Sequence, residues 1–344
     1  MGSAIVFNGD GTWEQREFPK PSLRPGGAVL RVEATGLCHS DVDQFYGNPP
    51  TPSGGAFPTV PGHEIVGRIE EIDPSAAHEW GVGVGDRVGV QTYVLNEQGF
   101  RSYGFDFPLD EGSGLFGGYS EYMELVPGSA VFKLRDDLPA THLTLFESLA
   151  NAVTWVQPVQ AGNVVVVEGP GHMGLATVVA AKAAGASTVI VTGLTQDKAR
   201  LDTALELGAD HAIDVATEDV IERVADITGG AMADVVLDTA SGNPATVDVA
   251  LDLVKMLGTV VLAGFKDRKL DGFDVNRIPG RCISVRPGAG MDVGRACTLI
   301  NEGLVPTAVL AGESFPIDRF EEAFALMERK VPGRDAVRFS LDLA

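Results

Sequence analysis

Cysteine is scarce in this sequence, which has only Cys38, Cys282 and Cys297 among its 344 residues. An odd and sparse set of cysteines cannot form a disulfide framework, which excludes a small disulfide-stabilised secreted domain. We therefore expect the protein to work in the reducing cytoplasm. Cys282 and Cys297 lie in or after a predicted sheet and are interpreted as packing residues.

Long apolar runs and an excess of positive charge are also missing. No segment approaches about 18 uninterrupted apolar residues, and residues 1–7 lack the basic and apolar regions of a signal peptide. The formal net charge is −21 at pH 7, and so acidic a surface repels nucleic acid and anionic membranes. We expect neither as a partner, whereas a small neutral substrate is not excluded.

The first half of the chain is rich in glycine, proline and short β-like runs. Ala28–Val32 and Ile65–Ile69 are examples, and Gly85 and Asp86 form a turn before a further strand. Short strands at this spacing indicate a β-rich, barrel-like domain with irregular loops. Residues 93–119 are rich in glycine and aromatic residues, so we expect a long loop or lobe there.

From Gly162 onwards, apolar strands alternate with helices. This alternation is typical of an α/β fold with a doubly wound parallel sheet. The first two predicted helices are 175–184 and 197–207. The predicted strands are 164–168, 188–192, 212–214, 235–238, 259–263 and 282–286.

The C-terminal segment is expected to return to the first domain. A helix-like stretch follows Pro287, and short strands within 336–343 could rejoin the first domain. We therefore predict a first domain at 1–155, completed by 288–344, and a second domain at 156–287.

A glycine-rich turn, GPGHMG at residues 169–174, follows the apolar strand Val164–Val167. Its first glycine permits a tight turn, the second lets the backbone approach a pyrophosphate, and the third allows close packing of helix and strand. Such a pattern also occurs in surface loops, but a preceding strand and a following helix are the context of dinucleotide binding. The expected cofactor-binding residues are Gly169, Gly171, His172, Met173 and Gly174.

The choice between NAD and NADP is left open by the residues after the second strand. An NAD site has an acid about 20 residues after the glycines, which accepts a hydrogen bond from the ribose. Gly193 stands at this strand end, and Asp197 is the next acid. Lys198 and Arg200 could meet a 2′-phosphate or could belong to a solvated helix face. Gly193 and Lys198 are cofactor-binding candidates, and we expect modest discrimination.

The first half also contains metal-donor side chains. Cys38, His63 and Glu64 offer a thiolate, an imidazole and a carboxylate, which are ligands of catalytic zinc. A lone cysteine is more often a small packing residue, but this set precedes a dinucleotide motif. A Lewis-acid metal beside a nicotinamide transfers hydride to or from a carbonyl carbon. The combination predicts an alcohol dehydrogenase.

The segments Gly36–Asp41 (GLCHSD) and Pro61–Glu64 (PGHE) resemble those of the medium-chain, zinc-dependent alcohol and polyol dehydrogenases. The resemblance extends over essentially the whole chain. It implies a β-rich GroES-like catalytic domain and a Rossmann domain. It also implies that Cys38 and His63 bind zinc, with Glu64 as an exchangeable ligand or a neighbouring carboxylate.

The third zinc ligand of this family lies on the helix that joins the domains. Phe146–Val153 resembles the segment of sorbitol-type members, which use glutamate there, so the resemblance makes Glu147 the candidate. Alternatively, Glu147 is a helix N-terminal acid that interacts with the helix dipole. Many relatives carry a second zinc on four cysteines in the lobe after Gly89. This lobe has no cysteine, so we expect one zinc per subunit.

The resemblance assigns roles to further residues. Ser40 is the hydroxyl of a proton relay, and Asp43 stands where many relatives have the histidine that ends it. His39 is expected at the pyrophosphate, with a polar loop role as the alternative, and Arg338 is also expected at the cofactor. We expect a small alcohol, aldehyde or ketone as substrate and a homodimer or homotetramer. The catalytic candidates are Ser40, Asp43 and Glu64.

Two competing hypotheses remain open. A zinc-free enone or quinone reductase would keep the fold but would not need Cys38, His63 and Glu64. A non-catalytic cofactor-binding protein would need neither the metal set nor Ser40. Metal analysis distinguishes the first alternative, and turnover of an alcohol distinguishes the second.

Overall fold

A computed structural model describes residues 1–97, 99–331, 334 and 336–344. The chain folds into two units. The first contains Met1–Glu147, Cys297–Glu302 and Ala311–Ala344, and the second contains Ser148–Ala296 and Gly303–Leu310. The boundaries predicted from the sequence are 155/156 and 287/288.

The segment up to Trp155 consists of short strands and short helices, in keeping with its many turn residues. Its strands are β1 (Gly2–Phe7), β2 (Trp13–Phe18), β3 (Ala28–Leu37), β4 (Glu64–Ile72), β5 (Arg87–Val90), β6 (Tyr93–Asn96), β7 (Gly99–Ser102), β8 (Tyr122–Leu125) and β9 (Val131–Lys133). Its helices are α1 (His39–Phe45), α2 (Pro74–Trp80), α3 (Ala140–Leu143) and α4 (Phe146–Trp155). Strands β6 and β7 form a hairpin within the predicted lobe.

The middle segment alternates strands and helices. Its strands are β10 (Val164–Glu168), β11 (Thr188–Gly193), β12 (His211–Asp214), β13 (Ala233–Asp238), β14 (Val254–Leu262) and β15 (Ser284–Pro287). Its helices are α5 (His172–Ala183), α6 (Lys198–Glu206), α7 (Val220–Thr228), α8 (Ala245–Leu253) and α9 (Arg277–Gly280). The C-terminal segment adds α10 (Val293–Asn301), α11 (Thr307–Leu310), β16 (Glu313–Pro316), α12 (Phe320–Met327) and β17 (Phe339–Asp342).

The second unit contains a parallel sheet with the strand order β12-β11-β10-β13-β14-β15. The prediction of a doubly wound parallel sheet is therefore confirmed. Its central strand β10 is a continuous valine run, as is typical of a parallel strand with both faces covered. The strand order reverses between β10 and β13, and ligands of such sheets bind at the carboxyl ends of the strands at this point.

The first unit contains a mainly antiparallel sheet with the order β16-β17-β3-β4-β5-β9, and β8 also pairs with β3. Strand β17 pairs antiparallel with β3, opposite Ala34–Leu37, so the C-terminal segment completes this sheet. Apolar side chains of β3, β4, β5 and β8 form one core cluster. The sheet places the end of β3 beside the start of β4, where the candidate metal donors lie.

The two remaining cysteines have different surroundings. Cys297 is 3% exposed, which confirms its interpretation as a packing residue, and burial raises the pKa of its thiol to about 12. The same interpretation of Cys282 is wrong, because its side chain is exposed. Its backbone has a φ of 51° and donates a hydrogen bond to Pro279 O at 3.2 Å, so a turn replaces the first residues of the predicted last strand.

Candidate active site

Cys38 lies between β3 and α1. It has extended backbone angles, φ −117° and ψ 153°, at the N-cap of α1. Its backbone N–H donates to Asp41 Oδ2 at 2.8 Å, which satisfies one of the N–H groups that a helix start leaves without a helical partner. The chain reversal after β3 places the Cys38 thiol beside the start of β4.

His63 and Glu64 lie at the start of β4, which pairs antiparallel with β3. In this register Gly36 is the Cα partner of Glu64. A Cβ atom at Gly36 would overlap Glu64 Oε2 and Arg338 Nη2. Glycine is therefore required at position 36, because the buried Glu64 side chain crosses the space that a side chain there would fill.

Asp41 orients the His63 ring. Its carboxylate lies 3.2 Å from His63 Nδ1 and accepts a hydrogen bond from the Tyr119 hydroxyl at 2.8 Å. Burial by itself lowers the pKa of His63, but the neighbouring Asp41 and Cys38 raise this pKa well above its usual value. A carboxylate this close to Nδ1 favours a proton there, which is the tautomer that leaves Nε2 for a metal ion.

Two carboxylates lie beside His63. His63, Glu64 and Glu147 each offer a donor atom, and these atoms lie within 4.8 Å of one another. Donor atoms of Cys38 and Glu64 also lie within 4.8 Å. The residues His63, Glu64 and Glu147 are 6%, 0% and 7% exposed, respectively. The structure thus brings together the four predicted metal donors, which remain predicted ligands.

The electrostatics of this cluster fit a bound cation. The pKa of Glu64 is raised to about 7, chiefly by burial; Arg338 opposes this rise, and Glu147 contributes to it. Glu64 Oε1 is buried and has no hydrogen-bond partner within the described chain. A thiolate, an imidazole and carboxylates are also the donor types that zinc selects. The residues present therefore fit a zinc ion.

Arg338 lies in this cluster in the first unit. Its guanidinium forms a buried ion pair with Glu64 and lies 3.4 Å from Thr144 Oγ1. Only 4% of Arg338 is exposed. Its contact with the cofactor remains a prediction. In the structure Arg338 pairs with Glu64, a carboxylate of the metal-donor cluster. The pairing of Arg338 with Glu64 was not predicted from the sequence, in which the two residues are 274 positions apart.

The relay candidates lie on α1. Ser40 is half-buried, and its hydroxyl is buried without a hydrogen-bond partner among the described residues. His39 and Asp43 are exposed. Phe105 packs on His63 with 4.9 Å between the ring centroids and adds an apolar neighbour to the donor cluster. The positions of Ser40 and Asp43 on one short helix are compatible with a relay.

The glycine-rich turn lies in the second unit, between β10 and α5. Gly169 has a φ of 93°, a left-handed conformation that favours glycine. A Cβ atom at Gly174 would overlap Gly169 O, whereas one at Gly171 would meet no atom within 4 Å. Gly171 is the N-cap of α5, and His172 and Met173 form its first turn. This open helix N-terminus can receive a pyrophosphate.

Asp197 and Lys198, which follow β11, interact with residues close to them in the sequence. Asp197 Oδ2 accepts a hydrogen bond from Leu194 N at 3.1 Å, and Lys198 Nζ lies 2.9 Å from Asp202. Gly193 ends β11, as the sequence predicted.

No helix of the described chain is long and apolar enough to cross a membrane.

Comparison with known proteins assigns the chain to a family. The model of the alcohol dehydrogenase GroES-like domain matches residues 24–136, and that of the zinc-binding dehydrogenase matches residues 173–296. A probable alcohol dehydrogenase of Mycobacterium tuberculosis is 36% identical over 94% of both chains. The chain belongs to the zinc-binding alcohol dehydrogenase family. This membership confirms the prediction of a zinc-type, nicotinamide-dependent enzyme that acts on CH–OH donors.

Other members of the zinc-binding alcohol dehydrogenase family resemble the chain over nearly its whole length. The erythritol/L-threitol dehydrogenase of Mycolicibacterium smegmatis is 30% identical over 98% of this chain and 96% of its own. Among solved structures, an alcohol dehydrogenase from Thermotoga maritima matches with a TM-score of 0.86 and 25% identity over 99% of both chains. These matches confirm the GroES-like and Rossmann fold class.

Proposed function

We propose that this dehydrogenase oxidises a small alcohol, or reduces the matching aldehyde or ketone, at one zinc site formed by Cys38, His63 and Glu147. The observation that carries the proposal is the buried cluster of His63, Glu64 and Glu147 beside Cys38. Glu64 is the exchangeable fourth donor, and its carboxylate forms an ion pair with Arg338 when it does not bind the metal. A zinc ion bound there supplies a Lewis acid that lowers the pKa of the substrate hydroxyl.

The residues of the chain perform the remaining steps. Asp41 keeps His63 in the metal-binding tautomer through Nδ1. The Ser40 hydroxyl, which has no partner among the described residues, takes the proton from the substrate hydroxyl. Asp43 is exposed on the same helix, three residues away, and leads this proton towards solvent. A nicotinamide cofactor held at the glycine-rich turn would supply the hydride acceptor for oxidation and the hydride donor for reduction.

The substrate class is proposed from the relatives and from Phe105. Relatives are named for erythritol and L-threitol, L-threonine and sorbitol, all small molecules with hydroxyl groups. In this chain the Phe105 ring packs on His63 and gives the site an apolar neighbour. A small primary or secondary alcohol therefore fits this site.

Assembly and location are also proposed. Strand β15 ends the parallel sheet and is exposed along its length, and Met256, Leu257 and Val285 nearby are exposed apolar residues. An exposed edge strand with apolar neighbours favours pairing with a second copy, which supports a homodimer or homotetramer. The three unpaired cysteines support a reducing cytoplasm.

A substrate screen tests the proposed function. Purified enzyme is assayed with NAD and with NADP against aliphatic, aromatic and polyol alcohols, and Cys38→Ala is assayed in parallel. We expect turnover of at least one alcohol class by the wild type and loss of nearly all turnover in Cys38→Ala. Cys282→Ser is the matched control, because Cys282 is exposed in the second unit. Full activity of Cys38→Ala would overturn the proposed role of zinc.

A further inference from the structure

The end of β11 has no room for the acid that usually selects NAD. A Cβ atom at Gly193 would lie 2.9 Å from Pro170 Cγ and 3.2 Å from Leu201 Cδ2. Pro170 belongs to the glycine-rich turn that receives the pyrophosphate. An acidic side chain at position 193 would therefore displace the turn that binds the cofactor.

The neighbouring strand supplies an acid at the same level of the sheet. Strand β12 pairs parallel with β11, and Asp214 is the Cα partner of Gly193. Neighbouring strands lie about 4.8 Å apart, which is within the reach of an aspartate side chain. Asp214 therefore stands one strand away from the position where an NAD-selecting acid is expected.

Hydrogen bonds direct the Asp214 carboxylate towards β11. Its Oδ2 accepts a hydrogen bond from Thr195 Oγ1 at 2.6 Å, and Thr195 lies just beyond the end of β11. Its Oδ1 accepts a hydrogen bond from Ala216 N at 3.0 Å. The hydrogen bond from Thr195 is the main reason why the pKa of Asp214 is below its usual value. Each carboxylate oxygen retains a further lone pair for another donor.

Two cations near this strand end are held by acids. Lys198 Nζ lies 2.9 Å from both carboxylate oxygens of Asp202. Arg223 Nε donates to Glu218 at 2.8 Å, and Glu218 in turn accepts a hydrogen bond from Asp214 N at 3.3 Å. A 2′-phosphate would thus approach a carboxylate, and both of these cations already have acidic partners.

We propose that Asp214 is the residue that selects NAD over NADP in this enzyme: it accepts a hydrogen bond from the adenosine ribose and repels a 2′-phosphate. The inference rests on dinucleotide binding as stated above, and it replaces the modest discrimination expected from the sequence. A charge-assisted hydrogen bond of this kind changes affinity by roughly one to two decades.

Cofactor binding tests this inference without catalysis. The dissociation constants of NADH and NADPH are measured by fluorescence titration for the wild type and for Asp214→Asn. We expect the wild type to bind NADH at least about tenfold more tightly than NADPH, and the variant to lose most of this preference, mainly through tighter NADPH binding. Asp226→Asn is the control, because it removes one exposed carboxylate of α7 and should keep the wild-type ratio.

A second variant protects the test against misfolding. Thr195→Ala changes an exposed residue and releases the Asp214 carboxylate from its hydrogen bond, so it should reduce the NADH preference by a smaller factor. An unchanged ratio in the folded variants, or a wild type that prefers NADPH, would overturn the role of Asp214 and leave the proposed dehydrogenase function intact. Failure of the wild type to bind either cofactor would overturn the proposed function itself.

Discussion

Replacing Asp41 by asparagine should weaken zinc binding, because the carboxylate of Asp41 lies beside His63 Nδ1 and also accepts two hydrogen bonds. One oxygen faces His63 Nδ1 at 3.2 Å, and the other accepts hydrogen bonds from Tyr119 and from Cys38 N, each at 2.8 Å. The asparagine side chain would offer one acceptor oxygen and one NH₂ group. In one orientation of this amide, its NH₂ group faces the donors Tyr119 Oη and Cys38 N. In the other orientation the NH₂ group faces His63 Nδ1, which then carries no proton, so the proton lies on Nε2 and blocks zinc binding there.

The expected magnitude follows from the lost interaction. A hydrogen bond to a charged group contributes about 1.5–3 kcal/mol, and loss of a partner that orients a metal ligand typically lowers metal affinity about 10- to 100-fold. We therefore expect the zinc dissociation constant of Asp41→Asn to rise by one to two decades. Competition with a chromophoric zinc chelator measures this constant directly.

Tyr119→Phe is the matched control for Asp41→Asn. It removes one donor to Asp41 from a fully buried site but leaves the contact between Asp41 and His63 in place. We expect it to lower the free energy of unfolding by about 1 kcal/mol and to change zinc affinity much less than Asp41→Asn does. Equal zinc affinities for Asp41→Asn and the wild type would refute the reasoning, as would equal losses in the two variants.

Two further variants test other parts of the structure. Glu147→Gln keeps the side-chain volume but removes the charge, so we expect a lower zinc content by elemental analysis; wild-type content would argue against a ligand role. Burial, together with Asp238, raises the pKa of Glu168 well above its usual value of 4.5. Folding stability from this group is therefore complete below pH 4.5 and is lost as the pH rises towards the folded pKa, by up to about 1.4 kcal/mol per pH unit. Glu168→Gln should flatten this decline, measured by urea unfolding as the pH is raised above about 5, and parallel declines in both proteins would contradict the assignment.

Local sequence patterns predicted the second unit well. The valine run before the glycine-rich turn predicted β10, and the turn itself predicted the helix that follows. That helix begins at His172 rather than at residue 175, because Gly171 caps it and the first turn contains glycine instead of a helical apolar pattern. Strand β14 begins at Val254, ahead of the predicted residue 259, because Lys255 and Gly258 interrupt the apolar pattern at its start.

Long-range pairings were beyond the reach of local patterns. The partners Glu64 and Arg338 are 274 positions apart, and Asp41 and Tyr119 are 78 positions apart. Glu64 lies on β4 and Arg338 just before β17, whereas Asp41 lies on α1 and Tyr119 in a loop, so only the folded chain brings the partners together. The role of Asp214 likewise follows from its register with Gly193, since its place in the sequence is far from the expected acid. Cys38, His63 and Glu64 were predicted as metal donors from their side-chain chemistry, and Glu147 through the family resemblance.

The zinc content of the purified protein tests the central claim most directly. Elemental analysis should find one zinc per chain in the wild type and in Cys282→Ser, and essentially none in Cys38→Ala, whose circular dichroism should remain that of the folded enzyme. Two zinc ions per wild-type chain, or full retention of zinc by folded Cys38→Ala, would contradict a single catalytic zinc held by Cys38, His63 and Glu147.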